Sequence, residues 1–115
     1  MPFHDLEKKR IEKALAAFLK KRRPPAHIRP QLDLGYKLSG QSVELLEVRP
    51  QWDHPSIIHR YPYAKATYVK KQDLWKIYWR RQDLKWHGYE PNPTVPSIEE
   101  FLALVDADEN HCFFG

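Results

Sequence analysis

Lys65, Lys76, Tyr78, Arg80, Lys85, His87 and Tyr89 fall within residues 65–89, and their types suit contact with a nucleic acid. Ammonium and guanidinium groups neutralise phosphates, and aromatic rings lie under unstacked bases. Strand parity decides whether these side chains act together. If the turn around Gln82–Asp83 holds two or four residues, Arg80 lies opposite Lys85, Tyr78 opposite His87 and Lys76 opposite Tyr89, all on one face. Trp75, Ile77, Trp79 and Trp86 then take the other face. Pairing the preceding turn in the same way adds Lys65 and Thr67 to the basic face and Ala66 and Tyr68 to the apolar one. Solvated lysines, or a helix or loop covering them, would also explain polar residues at alternate positions. Four cations with no carboxylate among them favour RNA or single-stranded DNA as the partner. A three-residue loop would shift the register and dismantle the arrangement.

Other chemistries fit these residues less well. A metal-free ribonuclease would use His87 as general acid or base, with Tyr78, Arg80 and Lys85 near the scissile phosphate. A strand histidine beside a tyrosine is equally explained by a hydrogen bond. Asp33 followed by Glu47-Val48-Arg49 faintly resembles the carboxylates of metal-dependent nucleases, but the hairpin register places Asp33 and Glu47 on opposite faces, where they share no ion. Glu47 and Arg49 fall on the apolar face and need each other there. His54, His59 and the His111-Cys112 pair match no zinc spacing, so no metal or cofactor is expected. Cys112 lacks a basic neighbourhood that would activate its thiol. The expectation is therefore a binding protein without catalysis of its own.

Two helices and a sheet must position these groups. Ile11, Ala14, Leu15 and Phe18 recur at helical spacing; Asp5 can cap the start, Glu7 suits the positive end of the helix dipole, and Lys20, Lys21, Arg22 and Arg23 suit the negative end before Pro24-Pro25. That use of the cations competes with a role on phosphates. Residues 24–30 read as an extended connection. From Gln31 the period becomes two: Leu32, Leu34, Tyr36 and Leu38 alternate with polar residues up to Gly40-Gln41. A type II′ turn there pairs Leu38 with Val43, Lys37 with Glu44 in an ion pair, and Tyr36 with Leu45. Pro50, Pro55 and Pro62 mark residues 50–62 as a long loop, with a cis peptide plausible in Tyr61-Pro62-Tyr63.

The echo between Lys70-Lys71-Gln72-Asp73-Leu74 and Arg80-Arg81-Gln82-Asp83-Leu84 marks two successive hairpin turns, giving strands near 64–71, 74–81 and 85–90. Ser97-Ile98-Glu99-Glu100 is a capping box, and Ile98, Phe101, Leu102 and Val105 form one apolar face behind it. Both helices should cover the Trp75, Trp79 and Trp86 face. Phe113 and Phe114 should dock on the body. Trp52, in the proline-rich loop, is the expected contact if the partner is another protein, with the acidic end Asp106, Asp108 and Glu109 as a second such surface.

Composition sets the outer limits. A chain of 115 residues, 42% hydrophobic, has the size of a single domain spanning residues 1–115. One cysteine excludes an internal disulfide framework and fits the cytoplasm. The longest apolar run, Ala14–Leu19, is far too short to span a bilayer, so no membrane is expected. Glu7, Lys8, Lys9 and Arg10 stand where a secretory signal would begin its apolar core, so the chain reads as mature from Met1. The net charge of +4 divides into +6 over residues 1–30, +3 over 31–90 and −5 over 91–115. Within the middle segment, residues 60–85 hold eight cations and two acids.

The segments Arg29-Pro30-Gln31-Leu32-Asp33-Leu34-Gly35-Tyr36, Ala64-Lys65-Ala66-Thr67-Tyr68-Val69, Trp75-Lys76-Ile77-Tyr78-Trp79, Leu84-Lys85-Trp86-His87-Gly88-Tyr89-Glu90-Pro91 and Cys112-Phe113-Phe114-Gly115 resemble a bacterial family called domain of unknown function 3024. The resemblance covers the chain from about Arg29 onward. It implies one bacterial domain and brings no activity, cofactor or catalytic residue. The elements together predict an α+β fold: an N-terminal helix, an antiparallel sheet of about five strands connected mostly by hairpins, and a C-terminal helix.

Overall fold

Alternation over residues 33–48 produces the expected first hairpin. In the computed structural model, which describes residues 3–109 and 112–113, β1 (Asp33–Ser39) pairs with β2 (Ser42–Gln51) so that Leu38 faces Val43, Lys37 faces Glu44 and Tyr36 faces Leu45. Gly40 has φ of 58° and is the only one of the two turn residues with positive φ, as a II′ turn requires. Although Lys37 and Glu44 are in register, no ion pair joins them among the described residues. Glu47 and Arg49 do bond to each other.

The prolines of residues 50–62 do not make a long loop. Only Trp52 and Asp53 turn, and β3 runs from His54 to Val69. Its first half pairs with the end of β2, with Arg49 opposite His59, Val48 opposite Arg60 and Leu46 opposite Pro62. The result is a two-stranded arm extending past β1 and β4. Proline is tolerated there because a strand with a free edge need not donate to two neighbours. Register shifts at Leu45/Leu46 and Pro50/Gln51 take up the irregularities. No cis peptide occurs among the described residues.

The two echoed turns fold differently. Between β3 and β4 (Leu74–Arg80), Val69 pairs with Leu74, leaving residues 70–73 as the loop; Lys65 then faces Tyr78 and Thr67 faces Lys76 as expected. Between β4 and β5 (Trp86–Gly88), Arg80 pairs with Trp86, leaving residues 81–85. The aspartates account for the difference. Asp73 has φ of 50° itself and accepts from the Tyr68 hydroxyl at 2.7 Å. Asp83 turns its carboxylate onto the Lys85 backbone N–H at 2.9 Å, and the positive φ, 62°, passes to Leu84. A leucine in this conformation costs about 1–2 kcal/mol. One extra loop residue reverses the parity of everything that follows.

The strand order is β1-β2-β3-β4-β5, and β6 (Thr94–Val95) pairs with the first half of β4. This antiparallel sheet and two helices make an α+β fold. Val43, Leu45, Ala64, Ala66, Trp75 and Ile77 project from one face and are buried with Ile11, Leu15 and Phe18 of α1 (Asp5–Arg22) and Ile98, Phe101, Leu102 and Val105 of α2 (Ile98–Ala107). Both helices therefore cover the Trp75 and Trp79 face; Trp86 is not on it. Phe113 docks on Tyr89 with ring centroids 5.0 Å apart, while Phe114 lies outside the described residues.

The helix caps follow the sequence with local changes. Ser97 accepts from Glu100 N–H as expected, whereas α1 is capped by His4 in place of Asp5, in a reciprocal box with Glu7. After Pro24-Pro25, residues 26–31 are turns rather than an extended link, with Arg29 N–H and Ile28 N–H both directed at the Pro25 carbonyl. No helix among the described residues is long and apolar enough to cross a membrane.

The cations at the end of α1 serve α2. Arg10 lies 3.7 Å from Glu99, and Lys21 and Arg22 each lie 2.7 Å from Asp106, so the helices run side by side in the same direction. Arg22 also donates to the Asp106 carbonyl at 2.8 Å. Parallel helices bring two negative dipole ends together, and α2 has no basic residue in its own last turn; Lys21 and Arg22 offset both.

These pairs make stability depend on pH. Lys21 chiefly, with Arg22, holds the Asp106 carboxyl below the usual carboxylate range, and Arg23 does the same for Asp33. A carboxyl with a depressed folded-state pKa stabilises the fold above its unfolded value, about 4, and loses that contribution as pH falls through the lower folded value. The partners are partly exposed, so each contributes at most about 1 kcal/mol. The thermal midpoint is expected to fall as the pH drops below about 4. Asp106→Asn should lower the midpoint at neutral pH and flatten its decline in acid.

Candidate nucleic-acid interface

The sheet face opposite both helices carries a row of cations and rings. Lys65 and Tyr78 are cross-strand neighbours, as are Thr67 and Lys76, and Arg80 and Trp86. The Lys65 ammonium lies 4.9 Å from the Tyr78 ring and 5.0 Å from the Trp86 ring. The Arg80 guanidinium lies 6.0 Å from Trp86, and its Nε is shielded and makes no hydrogen bond among the described residues. These cations are held by aromatic faces rather than by acids. No ion pair involves Lys65, Lys76, Arg80 or Lys85 among the described residues, whereas Lys21, Arg22 and Arg23 are all tied to carboxylates. The cations at the end of α1 thus have a structural role, while those of the sheet keep their charge available.

The one-residue shift corrects the expected membership of this face. Lys65, Lys76, Tyr78 and Arg80 stand together as the sequence implies. His87 pairs with Trp79 instead of Tyr78 and moves to the opposite face, where its Nε2 lies 2.8 Å from Asp83 Oδ2. Tyr89 is only 2% exposed and packs in the core against Phe113. Lys85 is exposed in the turn before β5, outside the paired strand. Trp86, expected in the core, takes the vacated place. Its signal in the sequence is Asp83, whose carboxylate captures the Lys85 N–H and adds the fifth loop residue.

A ribonuclease centre of His87, Tyr78, Arg80 and Lys85 is not assembled, because the sheet stands between His87 and both Tyr78 and Arg80. Asp33 and Glu47 do lie on opposite faces, Asp33 beside Val48 and bonded to Arg23. The face is also less free of acid than the strands from β3 onward imply, since Glu44 sits between Lys37 and Lys65.

Burial holds the Cys112 thiol above its ordinary pKa, with Asp108 adding to the effect. Trp52 stands 92% exposed at the tip of the arm, near exposed Ile57, Ile58 and Tyr61. The acidic end of α2 is largely engaged: Asp106 with Lys21 and Arg22, and Asp108, itself buried, accepting from Phe113 N–H at 3.0 Å.

No curated protein matches this chain, and neither does any solved structure. One family model does match, over residues 3–115, with the N-terminal helix, the whole sheet and α2 inside the matched span. The chain belongs to the family described as Domain of unknown function (DUF3024).

Proposed function

We propose that this protein is a non-catalytic binding module of a single domain, and that the open face of its sheet takes RNA or single-stranded DNA. The observation that carries this reading is Lys65, whose ammonium rests near Tyr78 and Trp86 beside Lys76 and Arg80, away from both helices. A cation over an exposed ring is worth about 0.5–1 kcal/mol. Stacking a base on such a ring is worth about 1–3 kcal/mol. A phosphate that draws Lys65 aside therefore frees aromatic faces for a more favourable contact. The same reading places the protein in the bacterial cytoplasm, where a lone cysteine is at home.

Stacking requires unpaired bases, so a labelled single strand should bind at least about tenfold more tightly than the duplex of the same sequence. Fluorescence anisotropy measures both. Equal affinity would reduce the face to a non-specific phosphate-binding surface and refute the reading.

A second reading rests on the arm. Trp52, Ile57, Ile58 and Tyr61 expose apolar surface on a two-stranded projection, a type of surface that favours contact with another protein.

A further inference from the structure

A cavity of about 120 Å³ opens between the start of α1, the β3–β4 turn and the start of α2. It belongs to the helix side of the sheet, away from Lys65. Three aromatic residues line it: Trp75 is flanked by Phe3, with centroids 5.6 Å apart and planes tilted by 32°, and by Tyr68, at 5.2 Å and 48°. Two carboxylates, Glu7 and Asp73, share the lining. Each has one oxygen engaged. Asp73 Oδ1 accepts from the Tyr68 hydroxyl at 2.7 Å, and Glu7 Oε1 accepts from His4 N–H at 3.2 Å. The second oxygen of each accepts no hydrogen bond among the described residues. Arg10 also lines the cavity, but its guanidinium is drawn to Glu99 at 3.7 Å.

This lining selects a ligand by chemistry. Aromatic faces carry the negative part of the ring quadrupole and the carboxylates carry full charge, so an anion is opposed. A small metal ion would need several converging oxygens, which the ring wall does not offer. A bare ammonium is strongly hydrated and gains little from apolar walls. A methylated ammonium spreads its positive charge over apolar methyl surface and satisfies rings and carboxylates together. At about 120 Å³ the cavity is smaller than the roughly 150 Å³ that encloses a benzene ring, so it takes the methylated ammonium head with the rest of the cation outside its mouth. The Tyr68 hydroxyl is held above its ordinary pKa, by its bond to Asp73 foremost, then by desolvation, and then by the charges of Asp73 and Glu7. We infer that this cavity is a binding site for a small organic cation bearing a methylated ammonium group, separate from the sheet face proposed to take nucleic acid.

The test is an NMR titration of the full chain, following the Trp75 indole N–H, with choline chloride, with its neutral carbon analogue 3,3-dimethyl-1-butanol, and with sodium chloride as the ionic control. The variant Glu7→Gln with Asp73→Asn removes both charges. It keeps the fold, because glutamine serves a capping box as glutamate does and asparagine tolerates the positive φ of residue 73. Choline should give a saturable shift with affinity at least about tenfold above that of the neutral analogue. The double variant should lose about tenfold in choline affinity with its thermal midpoint little changed. Equal shifts from choline and its analogue, no choline effect beyond that of sodium chloride, or unchanged choline affinity in the double variant would overturn the inference.

Discussion

Phe101→Ala is expected to cost about 3–5 kcal/mol of stability. Phe101 has no solvent exposure and lies on the face of α2 that also buries Ile98, Leu102 and Val105. It joins the cluster formed by Leu15 and Phe18 of α1 and by Leu45, Ala64 and Ile77 of the sheet. Truncation loses the transfer free energy of the ring and leaves a cavity that these neighbours close only in part, because they are fixed by the sheet on one side and by the second helix on the other. A domain of this size has about 5–15 kcal/mol in total, so this one change removes a large share. Urea denaturation should show a lower midpoint with an unchanged slope. Trp52→Ala is the control: a larger side chain, but 92% exposed, and expected to change stability by less than about 0.5 kcal/mol. A Phe101 variant as stable as the parent would mean that α2 does not close the core.

Trp86→Ala should weaken single-strand binding by about 1–3 kcal/mol, five- to over a hundredfold, while His87→Ala leaves it nearly unchanged. The contrast follows from register. Arg80 pairs with Trp86, which brings that indole within reach of Lys65, and His87 projects from the other face toward Asp83. Had the β4–β5 loop contained an even number of residues, the two substitutions would exchange their effects. Anisotropy with a labelled oligonucleotide resolves a difference of this size. Loss of binding in the His87 variant but not in the Trp86 variant would place the ligand on the opposite face.

Much of the architecture is legible from local rules because those rules act alone there. Gly40 supplies the positive φ of the first hairpin, and alternation on both sides fixes its register. Ser97 and the spacing of Ile98, Phe101, Leu102 and Val105 define α2 for the same reason. The parity of β3 and β4 survives because the loop between them has four residues, so Lys65, Lys76, Tyr78 and Arg80 are correctly grouped.

Where two rules compete, the sequence reading fails. Pro50, Pro55 and Pro62 indicate a loop by composition, yet the arm has free edges on which proline is harmless. Nearly identical residues at 70–74 and 80–84 suggest identical turns, but Asp73 reaches a tyrosine hydroxyl and Asp83 a backbone N–H. Each aspartate has a tyrosine five residues before it, Tyr68 and Tyr78, but among the described residues only Tyr68 donates to its aspartate. Lys21 and Arg22 find their carboxylate in Asp106, 85 residues beyond Lys21, a contact that only the packed helices create. His4 caps α1 although histidine is not among the favoured capping types.

The proposal stands on the untied charge of Lys65, Lys76 and Arg80. Its most direct test is the affinity for a labelled single-stranded RNA at a series of salt concentrations, in the parent protein and in a variant with all three residues replaced by alanine. Each phosphate contact adds about 0.7 to the slope of log affinity against log salt. The parent should bind with a clear salt dependence, and the variant should bind much more weakly with a slope smaller by about 2. The same affinity and slope in both proteins, or no salt-dependent binding by the parent, would contradict a nucleic-acid role for this face.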